Sequence, residues 1–214
     1  MTFEDPYLGD IIQKTSYDQI YDEHVFLFSV ESVQNAFSKH GLEVIDCLPQ
    51  KTHGGSMRYV LAHKGAYQIS ENVKRQLAIE NELQLSNPDT YVQFAKNVEK
   101  SKQELFDLLE KLRLEGKKVV GYGATSKSTT VLNYCGIKPE HIAFISDTTP
   151  IKQGKFTPGT HIPVKPYEEF KNESPDFALL FAWNHKDEIL AKEVAFKERH
   201  GKWITYVPNV HIFE

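Results

Sequence analysis

The chain has 214 residues, of which 40% are hydrophobic and 25% are charged, and its formal net charge is −4. This size can bury the core of one large domain or of two small lobes. The negative charge and the lack of a basic tract argue against nucleic-acid binding, and no apolar run approaches the roughly 20 residues that span a bilayer.

The N-terminal half predicts a smaller α+β lobe. Ser29, followed by apolar residues at helical spacing and then by Gly41, predicts a capped helix over residues 29–40. Two strands are expected at 42–48 and 56–63, paired like a hairpin across a glycine pair. Two helices are then predicted, at 71–85 and at 89–114, with Pro88 at the break and Gly116 at the end.

Strand and helix signals alternate in the C-terminal half. A strand at 118–120 leads into a glycine turn, then a helix at 126–134 and an apolar strand at 141–146, which together form a βαβ unit. Another strand (177–182), a helix (186–200) and a last strand (203–207) follow. The predicted fold class is α/β, with a parallel-sheet lobe at 116–214 and the smaller lobe and connecting helices at 1–115.

A candidate proton-transfer site lies near the N-terminus, where Tyr21, Glu23 and His24 precede the apolar run Val25 to Phe28. Histidine titrates near neutrality, and a neighbouring carboxylate and phenol can orient it and tune its basicity. These residue types in this spacing could remove a proton next to a carbonyl. The alternative is an ordinary polar surface on an amphipathic segment.

The glycine turn is a candidate ligand site. Gly121 and Gly123 follow a strand, so the backbone can approach a ligand closely, and the following helix N-terminus favours a phosphate. The third glycine of a dinucleotide fingerprint is replaced by Ser126, while Lys127 adds a cation and Asp147 ends the second strand, where a ribose hydroxyl is often bound. A tight turn without any ligand remains the alternative.

Two further segments are expected at the same edge of the sheet. The loop at 149–163 holds three prolines and two glycines, which favours a fixed irregular path over the strand ends, and it carries Lys152. Asn184 follows the strand at 177–182 and could add a polar contact. A purely structural loop and a solvated lysine are the alternatives.

Cysteine and histidine spacing gives no support for a metal site. Cys47 and Cys135 are too few for a four-cysteine zinc site, and the nine histidines contain no HxxxH or HxH pair. We expect both cysteines to be reduced core residues. With an acidic N-terminus that does not resemble a signal sequence, the chain is expected to be cytoplasmic.

Four motifs in one order resemble the C-terminal half of the S-adenosylmethionine-dependent nucleotide-sugar C-methyltransferases. They are SYDQIYDEHVFLFS at 16–29, THGGSMR at 52–58, GYGATSKSTTVLNYCGI at 121–137, and SD at 146–147 with PIKQGKFTPGTHIPV at 150–164. The resemblance runs from about Phe3 to the last strand. Any one of these motifs alone would be weak.

The resemblance implies a Rossmann-like C-terminal lobe that helps to hold a nucleotide-linked sugar. In the family the methyl donor S-adenosylmethionine sits in a preceding domain, after a cysteine-cluster zinc region, and neither part is in this sequence. The chain is therefore expected to be a half-protein, a split subunit or a relict, with the donor bound outside it and a separate donor-binding chain as a partner. Donor binding at Gly121 is not implied.

The implied reaction is methylation of the carbon beside the ketone of a nucleotide-linked 4-keto sugar. By position His24 would be the base, Tyr21 and Glu23 would orient it and stabilise the enolate, and His53 is a second polar candidate. Asp22 replaces a histidine found in many relatives and favours protonated His24. The second-lobe motifs match at eleven residues: Gly121, Tyr122, Gly123, Ala124, Lys127, Asp147, Lys152, Gly154, Pro158, Gly159 and His161. Lys127 and Lys152 are the preferred phosphate contacts.

Two other classes of function remain open at this point. One is a nucleotide-sugar binding module or an inactive relict, which would bind ligand without removing a proton. The other is an unrelated nicotinamide-dependent enzyme that uses the glycine turn, and the missing third glycine argues against it.

Overall fold

The structure is a computed structural model that describes residues 1–214, and the chain divides into two compact units. The first unit contains Met1–Ser16 and Asp22–Lys96, and the second contains Tyr17–Tyr21 and Asn97–Glu214. The short segment Tyr17–Tyr21 thus belongs to the second unit although first-unit residues flank it on both sides. None of the helices combines the length and the apolar character needed to cross a membrane.

The first unit is built on a three-stranded antiparallel sheet with the order β1-β3-β2. The helix after Ser29 and the β2–β3 pairing confirm the sequence prediction, whereas β1 and α1 were not predicted. Its elements are β1 (Thr2–Pro6), α1 (Leu8–Lys14), α2 (Val30–Ser38), β2 (Leu42–Gln50), β3 (Ser56–His63) and α3 (Glu71–Glu82), followed by α4 (Pro88–Leu114), which continues into the second unit.

A buried carboxylate fastens the start of α2 to α3. Glu80 Oε1 accepts hydrogen bonds from Val30 N (2.6 Å) and Tyr7 Oη (3.0 Å), and Oε2 accepts one from Glu31 N (3.0 Å). Burial raises the pKa of Glu80, while the two backbone donors and the tyrosine lower it. The side chain therefore satisfies two amides that a helix N-terminus leaves without an intrahelical partner.

The second unit contains a six-stranded sheet with the order β6-β5-β4-β7-β8-β9, parallel except for the edge strand β9. This confirms the predicted α/β class and the β4–α5–β5 unit. The elements are β4 (Val119–Tyr122), α5 (Ser126–Cys135), β5 (Ile145–Asp147), β6 (Val164–Pro166), α6 (Tyr167–Asn172), β7 (Phe177–Leu180), α7 (Lys186–Lys192), α8 (Val194–Glu198), β8 (Lys202–Thr205) and β9 (His211–Phe213).

The direction in which successive strands are added to the sheet reverses between β4 and β7. The chain runs from β4 outward through β5 to β6, then returns to β7 on the other side of β4 and continues outward to β8. Open parallel sheets bind ligands at the carboxyl ends of the strands beside such a reversal. The residues that follow β4, β5 and β7 are therefore the ones that this topology favours for a site.

The helix predicted at 186–200 is two short helices, α7 and α8, which are interrupted at Glu193. The Glu193 side chain is buried and its Oε1 accepts hydrogen bonds from Tyr122 Oη (2.7 Å) and Tyr167 Oη (2.6 Å). Its backbone angles, φ −96° and ψ 37°, lie outside the helical range. A buried carboxylate needs such donors, and reaching them ends the helix.

We expect Glu80→Ala to lower the free energy of unfolding of the first unit by about 2–3 kcal/mol, because two backbone amides and a tyrosine hydroxyl lose a buried acceptor. Urea denaturation gives the change, and hydrogen exchange at the Val30 amide localises it. Glu82→Ala, an exposed position in the same helix, is the matched control. Equal effects of the two substitutions would contradict the role of Glu80 at the start of α2.

Candidate functional site

The turn between β4 and α5 is shaped by packing and by backbone conformation. A Cβ atom on Gly121 would lie 2.8 Å from side-chain atoms of both Ile145 and Phe181. Gly123 has a φ of +91°, in the region that favours glycine. Gly121 is therefore explained by the close approach of neighbouring side chains and Gly123 by the turn, and neither glycine requires a ligand.

Asp147 holds together the loops that follow β4 and β5. Its Oδ2 accepts a hydrogen bond from Ala124 N (2.7 Å), its Oδ1 accepts one from Thr149 N (2.8 Å), and Lys152 Nζ lies 3.5 Å from Oδ2. Lys152 Nζ also donates to the Ala124 carbonyl oxygen at 2.7 Å. The carboxylate is nearly buried, while 41% of the Lys152 side chain is exposed. Asp147 thus positions a lysine that solvent can still reach.

A pocket of about 330 Å³ opens beside this lysine. One wall is the first turn of α5, and the other is the loop that carries Lys152 and Lys155. Ile151 and Phe156 also line the pocket, although 73% and 62% of their surfaces are exposed. Cationic, backbone and aromatic groups in one concave surface are the features expected of a nucleotide pocket.

Lys127 is in the same unit but in different surroundings, since it is buried and is not among the residues that line this pocket. Its Nζ lies 4.5 Å from the ring centroid of Trp183 and donates a hydrogen bond to Asn184 Oδ1 at 3.3 Å. The structure therefore brings two of the predicted residues together, Lys127 and Asn184, at the carboxyl ends of β4 and β7.

Asp18, which sequence reasoning did not single out, is the counter-charge of Lys127. The Asp18 side chain is fully buried, and its Oδ2 accepts hydrogen bonds from Trp183 Nε1 (2.7 Å) and Tyr206 Oη (2.8 Å). Burial raises the pKa of Asp18, and the Lys127 charge and the two hydrogen bonds lower it; burial likewise lowers the pKa of Lys127, and Asp18 raises it. Each charge is tolerated because the other is present.

The predicted proton-transfer motif crosses the boundary between the units. Tyr21 is half-buried and ends the second-unit segment Tyr17–Tyr21, whereas Glu23 is exposed and His24 is half-buried in the first unit. Within the first unit, the structure brings together His24 and His53. Their ring centroids lie 6.3 Å apart at an interplanar angle of 77°.

His53 is held in a constrained loop. Its φ is +55°, an uncommon value for a residue with a side chain, and Gly54 and Gly55 follow with φ of +89° and +144°. Lys14 Nζ donates to the Gly54 carbonyl oxygen at 2.6 Å. The THGG sequence therefore forms a specific backbone shape that presents the His53 ring beside His24.

Asp5 is a third member of this cluster that the sequence did not reveal. It lies on β1, and His24 and His53 both lower the pKa of its carboxyl, although burial raises that pKa by a larger amount. β1 was not predicted, so nothing in the linear sequence linked residue 5 to residues 24 and 53.

No group of three or more His, Cys, Asp or Glu side chains is arranged to hold a metal ion. Cys47 and Cys135 are buried free thiols. In the β4–α5 turn, the acid at the end of the second strand, Asp147, already accepts one backbone hydrogen bond at each oxygen.

We expect Asp18→Ala to lower the free energy of unfolding of the second unit by about 3–5 kcal/mol, because it leaves the Lys127 ammonium buried without its counter-charge. The double variant Asp18→Ala/Lys127→Met should be more stable than Asp18→Ala alone. Urea titrations followed by tryptophan fluorescence give both values, and the exposed Asp187→Ala is the control. A double variant no more stable than the single one would refute the charge pairing.

Comparisons with known proteins extend over almost all of the chain. Residues 51–208 match the family described as the C-methyltransferase C-terminal domain. The chain is also 35% identical over 210 residues to the C-methyltransferase NovU of Streptomyces niveus, an alignment that covers 98% of this chain and 50% of that protein. It thus spans about half the length of this curated relative. On these two matches, the chain belongs to the C-methyltransferase C-terminal domain family.

Proposed function

We propose that this chain is the substrate-handling half of an S-adenosylmethionine-dependent C-methyltransferase that acts on a nucleotide-linked keto-deoxysugar. The observation that carries the proposal is the family membership, which extends over most of the chain. In this proposal S-adenosylmethionine supplies the methyl group and is bound outside this chain, on a separate domain or partner chain.

Carbon beside a ketone becomes nucleophilic only when a proton leaves it, so the chain's own task is to remove that proton. We assign the base to His24, with Tyr21 and Glu23 as orienting groups that stabilise the enolate by hydrogen bonding. The support from geometry is that His24 lies beside a second imidazole, His53. Both imidazoles also lower the pKa of the Asp5 carboxyl against the larger, raising effect of burial. Neutral imidazole is a base of suitable strength near neutral pH.

The second unit is assigned to binding of the nucleotide part of the substrate. Lys152 and Lys155 offer charge to a diphosphate, the first turn of α5 offers backbone dipoles, and Phe156 offers a ring face for stacking. Asp147 acts indirectly in this proposal, because it holds Lys152 in place. Lys127 and Asn184 form a second polar pair at the ends of β4 and β7, where the sugar or a phosphate could be bound.

The base is tested by deuterium exchange in the absence of methyl donor. We expect the protein in D2O to wash deuterium into the carbon beside the ketone of a nucleotide-linked 4-keto-6-deoxyhexose, as followed by proton NMR. His24→Gln should slow this exchange by about 10²–10⁴-fold, the usual contribution of a positioned base. His40→Gln, at an exposed histidine in the same unit, should leave the rate unchanged.

Exchange that persists in His24→Gln would remove that residue as the base. Exchange that is absent in the unmodified protein, together with retained binding of the sugar nucleotide, would instead favour a binding module or a chain that removes the proton only with its partner.

Nucleotide binding is tested separately by calorimetry with thymidine diphosphate glucose and uridine diphosphate glucose. We expect Lys152→Gln to weaken binding by about tenfold, or about 1.4 kcal/mol, since one charge-assisted contact is lost. The control is Lys197→Gln, at an exposed lysine on α8. Equal affinities for the two variants would exclude Lys152 as a phosphate contact.

A further inference from the structure

The carboxyl group of Asp5 is the most unusual polar group of the first unit. Asp5 lies on β1 and pairs with Met57 on β3. Its Oδ1 atom is buried and accepts no hydrogen bond. Buried carboxylate oxygens in folded proteins nearly always have donors. Asp18 Oδ1 in the second unit also lacks one, but the Lys127 ammonium compensates that acid, whereas the groups that lower the pKa of Asp5 are imidazoles.

Two imidazoles provide the favourable electrostatic interactions of this carboxyl. Burial has the largest effect and raises the pKa of Asp5. His24 lowers that pKa, and His53 lowers it by a smaller amount. The two rings are themselves neighbours, with centroids 6.3 Å apart. Asp5 and His53 lie in adjoining segments, because Thr52, next to His53, donates a hydrogen bond to Glu4, next to Asp5, at 2.6 Å. With His24 they form one electrostatic group of one acid and two bases.

The other charged and titratable groups around this cluster have partners of their own. Glu4, next to Asp5 on β1, accepts hydrogen bonds from Thr52 and Arg58. Asp10 and Lys14 form an ion pair beside the loop that carries His53. The buried Tyr59 hydroxyl donates to the Phe28 carbonyl oxygen, and Asp5 is one of the groups that raise the pKa of Tyr59. None of these donors is bonded to Asp5 Oδ1.

We propose that Asp5 is a positioning residue that acts through the His24–His53 pair, and that it stabilises the imidazolium formed when the pair accepts a proton from the substrate. This inference rests on the proposed function. In that step the C–H bond beside the ketone breaks, its electron pair enters the enolate, and the proton forms an N–H bond on His24. The pair gains one positive charge, and the Asp5 carboxylate supplies the matching negative charge.

A carboxylate that orients an imidazole and stabilises its protonated form is a recurring arrangement in proton-transfer sites. Here it would have two effects. It would favour the tautomer of His24 or His53 whose N–H faces the acid, and it would strengthen the pair as a base. The positive φ of His53 and of the two glycines after it gives the loop that carries the second ring a specific backbone shape.

The first measurement needs no substrate. Imidazole nitrogen resonances of His24 and His53 are recorded by long-range 1H–15N correlation in the unmodified protein, in Asp5→Asn and in the control Glu71→Gln, which removes one charge from an exposed site in the same unit. We expect Asp5→Asn to change the tautomer pattern of at least one of the two rings and Glu71→Gln to change neither. Unchanged resonances in Asp5→Asn would overturn the proposal.

The second measurement is the pH profile of deuterium exchange. We expect Asp5→Asn to slow exchange at neutral pH by about 10–100-fold and to move the acid limb of the profile to lower pH, because a pair without its acid loses its proton more easily and is a weaker base. Asp5→Glu keeps the charge and should return the acid limb toward its original position. A lower rate with an unshifted limb in Asp5→Asn would mean a purely structural role and would overturn the proposal.

The two readouts separate this inference from the proposed function. If the unmodified protein exchanges no deuterium, the assignment of the base fails, yet the imidazole resonances still decide whether Asp5 controls the pair. If exchange depends on His24 while the imidazole resonances are the same in Asp5→Asn as in the unmodified protein, the proposed function stands and this inference fails.

Discussion

A charged side chain that water cannot reach must find its partners within the protein, and this constraint organises both units. In the second unit Asp18 is such a side chain, and the tryptophan, the tyrosine and the lysine that compensate it come from three different parts of the sequence. In the first unit Glu80 does the same for the start of α2. Because an uncompensated buried charge is far more costly than a lost apolar contact, these carboxylates define the positions of their neighbours closely.

The same principle separates the structural acids from the one assigned to function. Glu80 and Glu193 each accept two or more hydrogen bonds. Asp18 has one oxygen without a donor, but its other oxygen accepts two hydrogen bonds and the Lys127 charge compensates it. Asp5 also has an oxygen without a donor, and the groups that lower the pKa of its carboxyl are two imidazoles, those of His24 and His53. A charge left incompletely compensated by the fold can respond when a neighbouring group gains a proton, which is what a proton-transfer site requires.

Much of the fold could be predicted because its signals are local. The Ser29 cap, the hairpin strands and the long helix at Pro88–Leu114 follow from capping and periodicity over a few residues. The break at Glu193 could not be predicted, since the two tyrosines that bind it are 26 and 71 residues away. The same holds for the candidate site. His24 and His53 could be predicted because they stand in recognisable motifs, whereas Asp5 and Asp18 could be identified only from the residues that lie near them in the folded chain.

The segment Tyr17–Tyr21 also affects how the chain can fold and be divided. Asp18 reaches its partners across 165 and 188 residues of sequence, so the second unit remains incomplete until its last parallel strand is in place. A fragment that starts at Asn97 would contain every strand of the large sheet and still lack the acid for Trp183, Tyr206 and Lys127. The second unit is therefore discontinuous in sequence, and a cut at the boundary within α4 does not yield an intact second unit. During synthesis, Asp18 reaches its final surroundings only after Trp183 and Tyr206 have been made.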